Sequence, residues 1–261
     1  MKIRLDAFLV ENGYFNSRTK AKQSIERGEV VLNSKTVDKC SLLIDDYVKH
    51  KVEIIRSEEY VSLGGYKLSK AIKDFKYNCS EMVAADIGAS TGGFTDCFLK
   101  NGVKKVFAVD LNDDLLHKSL KEDSRVIRII KNAKDLTNTH FSDKIDLLVA
   151  DLSFISVTML MPVFSHLVQS GKDMILLIKP QFETGFKTRF KNGIIRDEKL
   201  KLKACLDVYN SAIEYGFAPK KITFAPLFKE KNTEFLMLFK KDDKIELTVD
   251  ELHNFFNIHK F

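Results

Sequence analysis

Hydrophobic positions change their spacing near residue 60, and the architecture they predict changes with it. Before that point Leu5, Phe8 and Leu9 form one helical stripe. Ala21 and Ile25 form a second, which opens behind Ser17 as a candidate N-cap and stops at Gly28. Short apolar runs at Val30–Leu32 and near Val37, joined by Asn33-Ser34-Lys35, read as a hairpin, and another strand is expected around Val48–Ile55. Residues 1–59 are therefore expected to fold as a small α+β module.

From residue 60 onward, apolar runs of strand length alternate with helical segments. Strands are predicted at Val83–Ile87, Val106–Val109, Val126–Ile130, Ile145–Ala150, Met174–Ile178, Lys221–Ala225 and Phe235–Phe239. Runs apolar on both faces and spaced by helices indicate an α/β fold, a Rossmann-like, seven-stranded, mostly parallel sheet covered on both sides. The last two strands are separated only by 226–234, so the final strand is expected to be antiparallel. This body is expected to span 60–245. Over 246–261 a closing helix is expected to pack on it: Thr248-Val249-Asp250-Glu251 has the capping-box pattern, and Leu252, Phe255, Phe256 and Ile258 follow. No internal repeat is visible.

Leu152 to Gly171 contains no Asp, Glu, Lys or Arg and approaches the length of a membrane span. Ser153, Ser156, Thr158, Pro162, Ser165, His166, Gln169 and Ser170 interrupt it, a pattern that fits a buried helix rather than a lipid-facing one.

Composition narrows the picture modestly. At 261 residues the chain can bury a full core and accommodate two domains, and 44% hydrophobic with 30% charged residues describes an ordinary globular protein. The net charge of +6 leans toward a polyanionic partner without deciding it. Cys40, Cys79, Cys97 and Cys205 show neither a CxxC pair nor zinc spacing, so reduced thiols and no metal site are expected. The first ten residues show no secretory signal, and a cytoplasmic location is expected.

Chemistry concentrates where strands end. Asp86-Ile87-Gly88-Ala89-Ser90-Thr91-Gly92-Gly93-Phe94 runs from a strand through a glycine-rich turn into a helix, so backbone can approach a ligand there. It is neither a P-loop nor a GxGxxG turn, and Asp86 suits a cationic or hydroxyl-rich ligand better than a pyrophosphate. Asp110 ends the next strand, where a carboxylate can accept both hydroxyls of a ribose. Asn132 and Ala133 after the third strand could bracket an adenine, with Asp135 a weaker candidate. Together these features favour S-adenosylmethionine, with a nicotinamide cofactor second.

Four further residues occupy related places. Lys179 ends the fifth strand, Asp151 ends the fourth, Lys67 opens the helix before the first, and Glu234 opens the last. Any two alone would be an ordinary ion pair; the joint placement beside a ligand turn is what points to chemistry. Basic residues gather in two other places. Arg18, Lys20, Lys22 and Arg27 fall in the second helix, although Glu26, Glu29, Asp38, Asp45 and Asp46 offset them. Lys187, Arg189, Lys191 and Arg196 lie between Glu183 and Asp197 with Phe186 and Phe190 interleaved, a composition suited to phosphate contact and base stacking.

Arg4-Leu5-Asp6, Asn16 to Ala21 and Gly28 to Asn33 resemble an S4 RNA-binding domain, with Ser34 standing where that family usually has glycine. The resemblance implies that Arg4, Arg18, Lys20, Lys22 and Arg27 contact structured RNA by shape and phosphate. Gly64-Gly65-Tyr66-Lys67-Leu68, Asp86 to Phe94, Asp151-Leu152-Ser153-Phe154 and Lys179-Pro180-Gln181-Phe182-Glu183 resemble the TlyA (hemolysin A) family, with Leu63 in place of a frequent arginine. These are S4-fused ribosomal RNA 2′-O-methyltransferases with an FtsJ-like catalytic domain. The resemblance implies a Lys-Asp-Lys-Glu tetrad at Lys67, Asp151, Lys179 and Glu234, S-adenosylmethionine as cofactor, and a cytidine ribose of ribosomal RNA on a ribosomal subunit as substrate. Lys179 would then either accept the 2′-hydroxyl proton or, protonated, stabilise the developing oxyanion, with Asp151 orienting it. The chain opens at the S4 core, from which a large-subunit target is expected by analogy. An influence on sensitivity to capreomycin-type antibiotics is implied as well. A non-catalytic RNA-binding factor is the competing class, and the broken apolar stretch argues against a pore-forming hemolysin.

Overall fold

A computed structural model describes residues 2–26, 29–33, 35–45, 50–54, 60–184, 193–226 and 232–259. These fall into two compact units, one ending before Tyr60 and one beginning there. Gly28, Ser34, Phe186 and Phe190 lie outside the described residues.

The first unit runs β1 (Lys2–Arg4), α1 (Leu5–Glu11), α2 (Arg18–Glu26), β2 (Val30–Leu32), β3 (Lys35–Thr36), β4 (Leu43–Asp45) and β5 (Val52–Ile54). The expected apolar stripes meet: Leu5, Phe8 and Leu9 of α1 pack with Ala21 and Ile25 of α2 and with Val30, Leu32 and Ile44. Ser17 Oγ accepts the Lys20 amide at 3.3 Å, the cap contact its position implies. β2 is flanked antiparallel by β3 and β5, and β1 pairs antiparallel with β4 through Ile3 and Ile44. The hairpin closes one residue earlier than expected, since β3 ends before Val37. Neither β1 nor β4 was expected. Each has three residues, too few for a period-two pattern, and is held by a partner some forty positions away.

The second unit contains α3 (Leu63–Phe75), β6 (Val83–Ile87), α4 (Gly93–Lys100), β7 (Lys105–Asp110), α5 (Lys118–Lys121), β8 (Val126–Ile130), β9 (Leu147–Ala150), α6 (Met161–Leu167), β10 (Asp173–Ile178), α7 (Pro180–Glu183), α8 (Glu198–Glu214), β11 (Phe217–Phe224), β12 (Phe235–Lys241) and α9 (Val249–His259). The described strands form one seven-stranded sheet in the order β11-β12-β10-β9-β6-β7-β8. β10, β9, β6, β7 and β8 are parallel, and β12 is inserted antiparallel between β10 and β11. Alternation across the pleat divides the core in two: Leu147 and Val149 face one layer, Leu148 and Ala150 the other. Both faces of the central strands are covered, which is why they read as nearly continuous apolar runs, whereas edge strand β8 leaves Ile127 and Ile130 exposed.

β11 begins at Phe217, four residues before its expected start. Pro219 reads as a strand breaker, yet it sits beside a register shift on an edge strand, where a missing N–H costs no ladder bond. The stretch after Asp151 forms a short 3-10 turn, Val157–Leu160, then α6, with Val157, Leu160, Met161, Phe164 and Leu167 buried and Pro162 in the first turn. Among the described residues no helix is long and apolar enough to cross a membrane. α9 opens with a reciprocal capping box, the Thr248 amide donating to Glu251 Oε2 at 2.7 Å and the Glu251 amide to Thr248 Oγ1 at 3.2 Å. Leu252 and Phe256 enter the core, whereas Ile258 stays exposed.

Candidate active site

The chain order reverses at β6, with β7 on one side and β9 on the other, so the carboxyl ends of β6 and β9 border a crevice where open α/β sheets hold ligands. The glycine turn builds its floor. Gly88 has φ +86°, and a Cβ there would stand 2.6 Å from the Asp151 carbonyl oxygen. The Gly88 and Ala89 amides both donate to the Val109 carbonyl, at 2.8 and 3.0 Å. The Ser90 amide donates to Asp110 Oδ2 at 2.8 Å, which ties the turn to the end of β7. Gly92 serves a different purpose: its φ of +91° lets the chain enter α4, and a Cβ would strike Leu120 Cδ1 at 2.1 Å.

Gly93 brings two helix openings together. A Cβ there would lie 2.3 Å from Ser62 Oγ and 2.8 Å from the Gly65 amide nitrogen. The first turn of α3 can thus lie directly against that of α4, and this close approach positions Lys67 one turn further on.

Two adjoining cavities of about 590 and about 170 Å³ share Gly88, Ser90, Asp151 and Ser153 as walls. Asp110, Asn132 and Ala133 line the larger. Asp86, Ala89, Thr91, Gly93, Phe94 and Lys179 line the smaller. Gly92 and Asp135 line neither. Asp86 is buried and accepts a hydrogen bond from Thr95 Oγ1 at 2.7 Å through Oδ2, whereas among the described residues no donor reaches Oδ1. Burial, and secondarily the nearby charges of Asp151 and Asp110, push its carboxyl up to about 7 against the Thr95 bond. A partnerless buried oxygen in the wall, a backbone cradle that a methyl group would fill, and Asp110 at the next strand end all fit a nucleoside ligand carrying a cationic group. Each Asp110 oxygen already accepts one backbone N–H, from Ser90 and from Asn112. Asn132 Oδ1 caps its own turn by accepting the Lys134 amide at 3.0 Å.

The four expected residues Lys67, Asp151, Lys179 and Glu234 converge. Lys179 Nζ lies 2.5 Å from Asp151 Oδ1 and donates to Ser153 Oγ at 3.0 Å. Lys67 Nζ lies 2.6 Å from Glu234 Oε2 and 3.9 Å from Asp151 Oδ2. The pairing follows from the sheet: Phe235 is in register with Ile178, which sets Glu234 beside Lys179 at the carboxyl end of β10. Burial works against the Lys67 ammonium, but the charges of Asp151 and Glu234 and the Glu234 hydrogen bond outweigh it and raise its pKa above the ordinary lysine value.

Several neighbours had no role assigned from sequence, although Ser153, Phe154 and Glu183 stand in the motifs that carry the resemblance. Ser62 lines the smaller cavity and carried no signal beyond preceding a helix. Ser153 bonds Lys179, and Phe154 is 78% exposed with φ +66°, its ring 5.4 Å from that of Phe182. Both follow Asp151 in the quoted motif, but nothing in the local pattern gives either its contact. Glu183 accepts Ser156 Oγ at 2.5 Å and the Val157 amide at 3.1 Å, tying the loop after β9 to α7.

In the first unit, Arg4 and Arg18 both bond Asp6, with side chains 44% and 59% exposed. Lys20 is exposed, and Lys22 stands 3.6 Å from Glu26 one helical turn on. Arg27, Lys187, Arg189 and Lys191 lie outside the described residues.

The sheet order, with one antiparallel strand inserted into an otherwise parallel sheet, is that of a Rossmann-like methyltransferase. Residues 60–241 match the FtsJ-like methyltransferase family and residues 3–45 match the S4 domain. Hemolysin A of Brachyspira hyodysenteriae is 38% identical over 91% of this chain and 99% of its own length. The 16S/23S rRNA (cytidine-2'-O)-methyltransferase TlyA of Mycobacterium tuberculosis is 33% identical over 87% and 85%. A solved Streptococcus thermophilus protein of the hemolysin kind is 33% identical, covers 99% of this chain and 98% of its own, and has a TM-score of 0.71. The chain belongs to the TlyA (hemolysin A) family, in which an S4 domain precedes an FtsJ-like methyltransferase domain.

Proposed function

We propose that this protein methylates the ribose 2′-oxygen of a cytidine in ribosomal RNA, with S-adenosylmethionine as donor. The observation that carries the reading is the Lys179 ammonium, fixed by Asp151 and Ser153 on the wall of the cavity that Gly88 lines. Asp86, Gly88 to Thr91, Gly93, Phe94, Asp110, Asn132, Ala133 and Asp151 are the residues that would hold the donor, with Gly92 shaping the turn from behind. When bound, S-adenosylmethionine supplies an electrophilic methyl group on a sulfonium centre.

The remaining work belongs to the chain's own side chains. A ribose hydroxyl is a poor nucleophile near neutral pH and needs alignment and charge stabilisation as its proton leaves. An ammonium has three donors. Asp151 and Ser153 take two of those on Lys179, and the third is available to the 2′-oxygen, which Lys179 orients and whose developing negative charge it offsets. As the oxygen–methyl bond forms and the sulfur–methyl bond breaks, the hydroxyl proton would pass to solvent water. Lys67, kept charged by Glu234 and Asp151, adds positive field behind Asp151 and holds that carboxylate in place. Phe154, exposed at the cavity rim, offers a flat apolar face to a base.

The S4 module, residues 1–59, supplies RNA affinity, and the catalytic domain spans 60–245, followed by the closing segment 246–261 that carries α9. Arg4, Arg18, Lys20, Lys22 and Arg27, with Lys187, Arg189 and Lys191, make the phosphate contacts. A large-subunit target is favoured, with an effect on sensitivity to capreomycin-type antibiotics, and its substrate puts the protein's action in the cytoplasm.

The test is tritium transfer from labelled S-adenosylmethionine to separate ribosomal subunits, followed by nuclease mapping. Label on a ribose oxygen of one cytidine supports the proposal. Label on a base atom rejects the ribose reaction, and no transfer to either subunit leaves the non-catalytic RNA-binding reading.

A further inference from the structure

We infer that Asp6 is a positioning residue that presets the guanidinium groups of Arg4 and Arg18 for the phosphodiester backbone of folded RNA. The inference rests on the reading of residues 1–59 as an RNA-binding module and deepens it by naming how its cations are arranged.

Asp6 sits in the first turn of α1, only 4% exposed. Its Oδ1 accepts the Ala7 amide at 2.9 Å, Arg4 Nε at 3.0 Å and Arg18 Nη2 at 3.3 Å, and its Oδ2 accepts Arg4 Nη2 at 3.0 Å and Arg18 Nη2 at 3.1 Å. The two-pronged bond to Arg4 fixes the plane of that guanidinium. Arg18 reaches the same carboxylate from the start of α2, twelve residues on. One buried anion therefore holds two cations that are both substantially exposed, and the trio keeps a net positive charge toward solvent. The bonds from Arg18 to Asp6 use Nη2, leaving its Nε and Nη1 edge uncommitted to that carboxylate.

An arginine free on a surface loses rotamer freedom when it clasps a phosphate; one already clamped has lost it in the unbound protein. Arginines held in this way bind a phosphate with a smaller entropic penalty. The same contacts also staple β1, α1 and α2 together, and a purely structural role is the competing account. Charge separates the two. Asp6 repels a polyanion, so removing its charge strengthens RNA binding if it does no positioning.

The experiment measures binding of the full-length protein to purified large and small ribosomal subunits across a salt series, for Asp6→Asn and Arg18→Lys. Each variant is expected to bind its preferred subunit roughly threefold to tenfold more weakly at fixed salt, Asp6→Asn doing so despite losing a negative charge. Arg18→Lys is expected to keep the wild-type salt slope, because the number of cations is unchanged. Unchanged or tighter binding by Asp6→Asn overturns the inference and leaves the RNA reading standing. Should Asp6→Asn fail to fold, exposed Arg18 decides alone, and wild-type affinity in Arg18→Lys overturns the inference. Wild-type protein that binds neither subunit overturns both.

Discussion

Lys179 and Asp151 meet at 2.5 Å at the ends of neighbouring strands, and both line the cavity that Gly88 floors. Lys67, the second ammonium, takes Glu234 at 2.6 Å, stands 3.9 Å from Asp151 and does not line that cavity. The four charges are thus two unequal pairs bridged by Asp151. One pair faces the ligand space, and the other supports it.

Lys179→Ala removes the cavity-lining ammonium proposed to hold the reacting oxygen. Methyl transfer is expected to fall by roughly 10²–10³ in kcat, the cost of deleting one preorganised donor, while affinity for S-adenosylhomocysteine stays within about twofold. Single-turnover transfer and calorimetry measure the two quantities. Full activity in this variant would remove Lys179 from the mechanism.

The Lys67–Glu234 pair makes a prediction about alkaline stability. Lys67 is mostly buried and binds its proton more tightly folded than unfolded. Its contribution is complete below the unfolded lysine value, about 10.4, and is lost as pH rises through the higher folded value. Glu234→Gln weakens the hold on that proton, so thermal melts between pH 8 and 11.5 should show the alkaline decline starting at lower pH than in wild type. Superimposable pH profiles would contradict this.

Asp86 has the opposite chemistry and a window in the acid range. Its carboxyl titrates at about 7 in the folded protein because burial penalises the carboxylate. Unfolded, it titrates at about 3.9. Between those values the folded state holds the extra proton, so the Asp86 contribution is full below about pH 4 and is lost as pH rises through 7. Asp86→Asn keeps an acceptor for Thr95 and should be flatter than wild type across that window in denaturant unfolding. If Oδ1 meets a cationic group of the ligand, wild-type affinity for S-adenosylhomocysteine rises through pH 7 while the variant's does not. Parallel profiles for the two proteins would remove Asp86 from cofactor binding.

Much of this arrangement is legible without coordinates. Val83–Ile87 and Val126–Ile130 coincide with β6 and β8: the first is a central strand whose apolar residues are buried, whereas the second is an edge strand, legible from its β-branched run although Ile127, Arg128 and Ile130 stay exposed. Lys179 and Asp151 are visible as polar residues ending apolar runs. What stays hidden depends on distant partners. β1 and β4 exist only through each other, and β11 starts early because an edge position tolerates Pro219. Which lysine takes which carboxylate follows from the insertion of β12 beside β10, a matter of strand order rather than local pattern. The clamp of Arg4 and Arg18 on Asp6 is likewise invisible to helical spacing, since it joins two helices.

The glycines at the helix openings provide the last prediction. Gly64 and Gly93 face each other, yet only one needs to lack a side chain. A Cβ at Gly64 would meet Phe94, Gly93 and Ser62 no closer than 3.4 Å, an ordinary contact. A Cβ at Gly93 would come within 2.3 Å of Ser62 Oγ and 2.8 Å of the Gly65 backbone, and the backbone cannot rotate aside. Gly64→Ala should be neutral or gain up to about 1 kcal/mol from helix propensity. Gly93→Ala should lose about 1–3 kcal/mol through overpacking. Because the same contact sets Lys67 against Asp151 and Glu234, Gly93→Ala should also lower methyl transfer at temperatures where it remains folded. Equilibrium denaturation of both variants, with transfer measured well below their midpoints, checks the contrast. Equal stability for the two would mean that the openings of α3 and α4 are not in close contact, and the placement of Lys67 would need another cause.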